Sequence, residues 1–155
     1  MKKELNTQKF ESRFLNNSFL EFLYDKNICI KLLLALKENE IDKLIEKNIY
    51  FDKTYSPPSI TEPVDVPKHN FLDLVTSTNN YFDIFSSYEI VACFFLHEIG
   101  HIFFGYDNEH FADNFVVSRG YGAYIVSGLE KGLKEGLIGF NKEAVEKRII
   151  SLQKK

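Results

Sequence analysis

The apolar pattern of the first half of the chain changes from helical to strand-like near position 49. Between 17 and 48, apolar residues recur at three- and four-residue intervals, which predicts two helices separated near 25–27. Between 49 and 78, four prolines separate short β-branched and aromatic runs such as 49–55 and 71–76. These runs predict a small antiparallel sheet with loops, upstream of the longest apolar stretch of the chain.

That apolar stretch predicts a buried helix with a recognisable start and end. Ser86 or Ser87 can cap its N-terminus, because a serine hydroxyl accepts hydrogen bonds from the backbone N–H groups that have no partner inside the helix. The helix is expected to run to about Phe104 and to end at Gly105.

Three further helices are predicted after this glycine. Asp107 or Asn108 can cap a helix from about 109 to 118, a third helical stretch runs toward Leu133, and Asn141 can cap the last helix. Gly136 and Gly139 close the helix that runs toward Leu133. The last helix has an apolar face formed by Val145, Ile149 and Leu152.

Composition narrows the classes of function. The chain has 155 residues, of which 45% are hydrophobic, and this suits one ordinary core. Its net charge of -3 leaves no surplus of lysine and arginine to meet a phosphate backbone or an anionic membrane. We therefore expect neither nucleic acid nor a membrane as partner.

The cysteines and the N-terminal residues predict a cytoplasmic protein. Cys29 and Cys93 each lie within an apolar run, which suits a reducing compartment better than a disulfide framework. Residues 1–10 are polar and lack the apolar stretch of a secretory signal. The apolar stretch at 90–104 is shorter than a membrane-spanning helix and contains charged and imidazole side chains.

The motif that carries chemistry lies in this stretch. His97, Glu98 and His101 form an H-E-x-x-H pattern, which places two imidazoles about 6 Å apart on one face of a helix. Two imidazoles and one carboxylate suit zinc, and the fourth position is left to a water whose pKa the metal lowers. Glu98, next to that water, is the candidate general base.

A third ligand is predicted from the register of a helical hairpin. Gly105 lies midway between His101 and Glu109, and also midway between His97 and Asp113. If the chain turns at this glycine, both pairs face each other across two antiparallel helices. Glu109 would then complete the ligands, while Asp113 would accept the ring N–H of His97 and fix its tautomer.

Two other residues are alternatives to Glu109 as third ligand. Asp107 occupies the position of the last ligand in a longer H-E-x-x-H-x-x-G-x-x-H/D pattern, although Phe104 stands where that pattern has glycine. His110 follows Glu109 directly, but its side chain should point about 100° away around the helix.

The two motifs together resemble a known family. The segment from His97 to His101, followed by the N-E-x-x-A-D segment from Asn108 to Asp113, is similar to the gluzincin metallopeptidases, and within them to small intracellular bacterial and phage enzymes of the ImmA/IrrE-like group. The resemblance covers about 86–122, and only seven residues separate His101 from Glu109 where better-known members have a longer connection.

The resemblance implies His97, His101 and Glu109 as ligands of one zinc ion, Glu98 as general base and Asp113 as the orienting residue. It also implies a zincin-like fold, so the predicted class is α+β, mainly helical, with a small antiparallel sheet upstream of the H-E-x-x-H helix. We expect a single domain over 1–155, with N-terminal helices in 1–48, proline-punctuated strands and loops in 49–85, and metal-binding and C-terminal helices in 86–155.

A peptidase also needs groups that stabilise the transition state and hold the substrate. Four residues that follow Glu109 in the chain are candidates for stabilising the transition state: His110, Arg119, Tyr121 and Tyr124. The strand-like run 71–75 is a candidate sheet edge that could pair with an extended peptide.

The sequence thus predicts a zinc-dependent metallopeptidase that acts on a protein or peptide. Two alternatives use the same motif. One is a catalytically idle regulator that keeps the zinc and binds a partner, and the other is a zinc hydrolase of a small molecule.

Overall fold

The computed structural model of the protein describes the chain in stretches. These are 31–46 without 33, 50–53, 59–66, 69–77, 85–105, 107–137 and 141–154, with the single positions 4 and 8. The helices described within them are α1 (Glu38–Glu46), α2 (Tyr88–Phe104), α3 (Glu109–Ser118), α4 (Gly122–Lys134) and α5 (Lys142–Gln153). The strands are β1 (Tyr50–Lys53), β2 (Ser59–Val66) and β3 (His69–Ser77). The first helix predicted between 17 and 48 falls largely outside these stretches.

Helix α2 is the centre of the described core. Every residue from Ile90 to Ile102 is buried, whereas a surface helix would bury a single stripe. It contacts α3, α4 and strands β2 and β3. Because apolar neighbours surround this helix, its polar side chains must find their partners within the protein.

The ends of the helices agree with the capping residues predicted from the sequence. Ser87 caps α2, and its Oγ accepts a hydrogen bond from the backbone N–H of Ile90 at 3.3 Å. Gly105 ends the helix with a φ of 104°, a conformation that glycine adopts without the steric cost of a Cβ. Asn141 caps α5, with Oδ1 3.0 Å from the N–H of Ala144.

Helix α5 buries the predicted apolar face. Val145, Ile149 and Leu152 are buried and belong to the same core cluster as α2. The helix contacts α4, which in turn contacts α2 and α3. The four helices from Tyr88 onward therefore form one packed group.

The three strands form a sheet in the order β1-β3-β2, described along its backbone. β2 and β3 pair antiparallel, and β1 pairs parallel to β3. The strand β2 contains Pro63, which has no N–H to donate and is tolerated at the edge position that β2 occupies. The run 71–75, predicted to be a sheet edge, lies instead in the middle strand, and Leu74 and Val75 pair with neighbours on both sides.

The predicted fold class, an α+β domain with a small antiparallel sheet, is wrong. The residues whose side chains the structure describes form five helices and contain no strand, so the described core is helical. The strands upstream of α2 form a mixed sheet, because β1 runs parallel to β3. Alternating runs predict that strands exist, but their pairing partners are decided by contacts between distant residues.

None of the described helices combines the length and the apolar composition needed to cross a membrane. Helix α2, the most apolar, has 17 residues.

Candidate metal centre

Helix α2 places two imidazoles side by side. His97 and His101 are one turn apart, and their Nε2 atoms lie 3.1 Å from each other. Both side chains are buried. Since the apolar residues of α2 fix this helix on all sides, the two rings are held in a position set by the core.

The α2–α3 hairpin brings the third predicted ligand to these rings. Oε2 of Glu109 lies 3.1 Å from Nε2 of His97, and Oε1 lies 3.4 Å from Nε2 of His101. Nδ1 of His97 lies 3.0 Å from Oδ1 of Asp113. Both pairs predicted from the register about Gly105 are therefore in contact.

Local sequence explains why the second helix starts where the register requires. Asn108 caps α3, and its Oδ1 lies 3.4 Å from the backbone N–H of Phe111. The backbone N–H of Asn108 donates to the carbonyl of Gly105 at 3.3 Å, which closes the turn. Glu109 is consequently the first residue of α3 and points back toward α2.

The ligand atoms of His97, His101 and Glu109 all lie within 4.8 Å of one another. In a tetrahedral zinc site with bonds near 2.0–2.1 Å, two ligand atoms lie about 3.3 Å apart. The two Nε2 atoms lie 3.1 Å apart, and they lie 3.1 and 3.4 Å from different oxygens of the Glu109 carboxylate. The three side chains are therefore close enough to bind one zinc ion.

The tautomers of the two rings favour the same conclusion. Nδ1 of His101 lies 3.1 Å from the carbonyl oxygen of Gly105, and Nδ1 of His97 faces the Asp113 carboxylate, so both Nδ1 atoms carry a proton and donate it. When both rings are neutral, their Nε2 lone pairs point toward each other and toward the Glu109 carboxylate. A positive charge, either a proton or a metal ion, is needed to neutralise this arrangement.

The charges around His97 favour a positive ion at this place. Burial lowers the pKa of His97, but its hydrogen bonds with Asp113 and Glu109 outweigh burial and raise the pKa to about 9. Burial raises the pKa of Glu109, but hydrogen bonds with His101 and His97 bring it well below its usual range. Both shifts reflect the same pairing, in which the carboxylates favour a positive charge at His97 and that positive charge favours ionised Glu109.

The structure adds Arg148, a residue that the sequence analysis did not select. It belongs to α5, and its Nε and Nη2 donate to the two oxygens of Asp113 at 2.9 and 2.7 Å. Its Nη1 lies 2.9 Å from Oε2 of Glu109. One signal could have found it: position 148 is three residues after Val145 and four before Leu152, so it lies beside the buried face of α5.

Glu98, the predicted general base, is buried at the same end of α2. Its negative charge affects the pKa values of His97 and Arg148. Among the smaller effects on His97 and Arg148, after burial and their hydrogen bonds, the carboxylate of Glu98 raises the pKa of each. The carboxylate is thus electrostatically part of the centre.

Two of the predicted transition-state stabilisers have contacts elsewhere. Arg119 donates from Nη2 to Oε1 of Glu40 on α1, and its guanidinium lies 4.7 Å from the ring centroid of Phe115. His110 is exposed, and its Nε2 accepts from Nδ2 of Asn114 at 3.0 Å. None of these contacts involves one of the three ligands.

The two predicted tyrosines lie beside the first half of α2. Tyr121 and Tyr124 have ring centroids 5.8 Å apart, and the carbonyl of Tyr121 accepts from Sγ of Cys93 at 3.6 Å. Burial raises the pKa of Tyr121, with smaller effects of Lys31, Cys93 and Glu89. Among the described contacts, the two rings contact each other, and neither contacts one of the three ligands.

Asp107, the alternative third ligand, is exposed and does not belong to the described group of converging ligand atoms, which contains Glu109.

The chain matches no known protein-family model, no curated protein sequence and no solved structure.

Proposed function

We propose that this protein is a zinc-dependent metallopeptidase whose ion is held by His97, His101 and Glu109. One observation carries the proposal: the Nε2 atoms of the two histidines lie 3.1 Å apart and 3.1 and 3.4 Å from the two oxygens of the Glu109 carboxylate, while the Nδ1 protons are engaged elsewhere. Two imidazoles and one carboxylate are a donor set typical of catalytic zinc, since a fourth position remains for water or substrate.

Bound at this place, zinc supplies a Lewis acid that polarises a carbonyl and lowers the pKa of water toward neutrality. The residues of the chain have separate tasks. Glu98 accepts the proton of the attacking water on its carboxylate and passes it to the leaving amine. Asp113 holds the Nδ1 proton of His97, so that the Nε2 lone pair faces the ion.

The choice of a peptide bond as substrate is supported by the resemblance of the two motifs to gluzincin metallopeptidases. The same metal chemistry would serve a zinc hydrolase of a small molecule or, with the base unused, a zinc-binding regulatory protein. A cytoplasmic location remains a prediction from the cysteines, of which Cys93 is free and buried.

The metal is tested by measuring the zinc content of the purified protein and of two matched variants. Glu109 and Glu146 are glutamates whose side chains are both 51% exposed, but Glu146 contacts only Lys142 among the ion pairs described, at 4.0 Å. We expect about one zinc per chain in the wild type and in E146A, and loss of it in E109A. Wild-type protein without bound metal would refute the proposal.

A peptidase is distinguished from the other zinc proteins by cleavage of an unfolded protein substrate. We expect zinc-dependent fragmentation by the wild type, analysed by mass spectrometry. A protein that binds zinc tightly and cleaves no peptide would favour the regulatory alternative.

A further inference from the structure

We propose that Arg148 is a positioning residue of the metal centre, which fixes the orientation of one histidine ligand and of the carboxylate ligand at the same time. This inference rests on the proposed zinc site. It adds helix α5, which contributes no ligand, to the elements on which metal affinity depends.

The first contact is with Asp113. Its carboxylate is only 4% exposed, and its two oxygens accept three N–H groups: Nε and Nη2 of Arg148 and Nδ1 of His97. A buried carboxylate without a counter-charge is strongly disfavoured, so the guanidinium keeps Asp113 ionised in this place. The bidentate pair also fixes the plane of the carboxylate, and Oδ1 is thereby directed at the ring of His97.

The second contact is with Glu109. Because half of this side chain is exposed, it would otherwise have many rotamers available. Nη1 of Arg148 binds Oε2 at 2.9 Å, while Oε1 lies 3.4 Å from Nε2 of His101. Arg148 therefore holds the exposed glutamate in the rotamer in which it can reach the ion.

These contacts use all three nitrogens of one planar guanidinium. The donors of a lysine ammonium share a single nitrogen, so lysine cannot bind both oxygens of Asp113 and also Glu109 with the same geometry. The contacts are non-local, because Arg148 lies 35 positions after Asp113 in the chain. Docking of α5 is thus coupled to the arrangement of the ligands on α2 and α3.

The test compares R148M with K147M, a matched removal of charge from the same helix. Lys147 is 73% exposed and binds Glu143 at 2.7 Å, away from the centre. Zinc affinity is measured by competition with a chromophoric chelator, and ligand geometry by the visible spectrum of the Co²⁺-substituted protein. We expect R148M to lose about 10- to 100-fold in zinc affinity and to change the Co²⁺ spectrum, whereas K147M keeps both.

A second variant covers the case in which R148M does not fold. R148K retains the positive charge beside Asp113, so we expect it to fold, but it loses the geometry of the guanidinium. We expect a smaller loss of zinc affinity, about 3- to 10-fold, together with a changed Co²⁺ spectrum.

The outcomes separate this inference from the proposed function. If the wild type binds zinc and both Arg148 variants keep its affinity and its Co²⁺ spectrum, Arg148 has only a structural role and the inference is overturned. If the wild type itself binds neither ion, the proposed function fails first, and the inference fails with it.

Discussion

Gly100 of α2 and Ala112 of α3 are in such close contact that a Cβ built on Gly100 would lie 2.8 Å from the Cα of Ala112. Ala112 is fully buried. The two residues lie between the facing pairs of the metal centre, so their small size sets the distance between the helices that carry the ligands. The close contact explains why a glycine in the first motif and an alanine in the second suit these positions.

Replacing Gly100 with alanine should push the two helices apart, because the contact is with backbone and no flexible side chain can move away. We expect G100A to lower the free energy of unfolding by about 1–3 kcal/mol and to weaken zinc binding. G122A is the control: its Cβ would meet Val117 at an ordinary 3.5 Å. Denaturant titration of both variants measures the effect, and a G100A protein as stable as G122A would contradict the prediction.

Replacing Glu98 with glutamine should separate chemistry from metal binding. The amide has nearly the same shape but cannot accept a proton, so we expect E98Q to keep its zinc and to lose peptide cleavage by about 10²- to 10⁴-fold. Zinc content and initial cleavage rates are compared with E146Q, a change at an exposed glutamate of α5. Full activity in E98Q would remove Glu98 from the mechanism.

Replacing Asp113 with asparagine should weaken the centre from outside the set of ligands. The variant leaves Arg148, whose side chain is 21% exposed, without its bidentate partner, and it removes the charged acceptor of the His97 proton. We expect zinc affinity to fall by about 10- to 100-fold. D107N changes an exposed aspartate and should keep the wild-type affinity. If D107N bound zinc more weakly than D113N, Asp107 and not Glu109 would be the third ligand.

Replacing Arg119 with methionine should affect stability and leave the metal centre intact. Arg119 and Glu40 form an ion pair whose side chains are only 10% and 14% exposed. Removing one partner leaves a mostly buried carboxylate, and we expect the free energy of unfolding to fall by about 3 kcal/mol. The double variant R119M/E40Q should recover part of this loss. A large loss of catalytic rate with unchanged stability would restore Arg119 as a transition-state stabiliser.

Two asparagine caps provide a matched pair for the role of the hairpin. Asn108 and Asn141 each accept a hydrogen bond from a backbone N–H at the start of a helix. Of these two helices, α3, which begins after Asn108, carries a ligand, and α5 carries none. We expect N108A and N141A each to cost about 0.5–2 kcal/mol of stability. Zinc affinity should fall in N108A alone, because only this cap fixes the start of α3 at Glu109. Equal zinc affinities in the two variants would contradict this role.

Much of the candidate centre could be read from the sequence because its signals are local. The histidines are one helical turn apart, Gly105 ends α2, and Asn108 starts α3, so the spacing alone brings His101 and Glu109 to the same turn. The same kind of signal gave the ends of α5 and its buried face.

Other features depended on contacts between residues far apart in the chain, and the sequence did not predict them. The parallel pairing of β1 with β3 and the helical character of the described core overturned the predicted fold class. Arg119, expected near the centre, pairs with Glu40, which is 79 residues away. Arg148, which was not expected there, contacts Asp113 and Glu109.

The sequence by itself thus determined which side chains can meet within one helical hairpin, because helix periodicity and capping act over a few residues. Only the tertiary structure placed the guanidinium of Arg148 beside these side chains, since the approach of α5 to α3 depends on how whole helices pack against the core. A guanidinium and two carboxylates from distant parts of the chain become neighbours through that packing, and no local pattern encodes it.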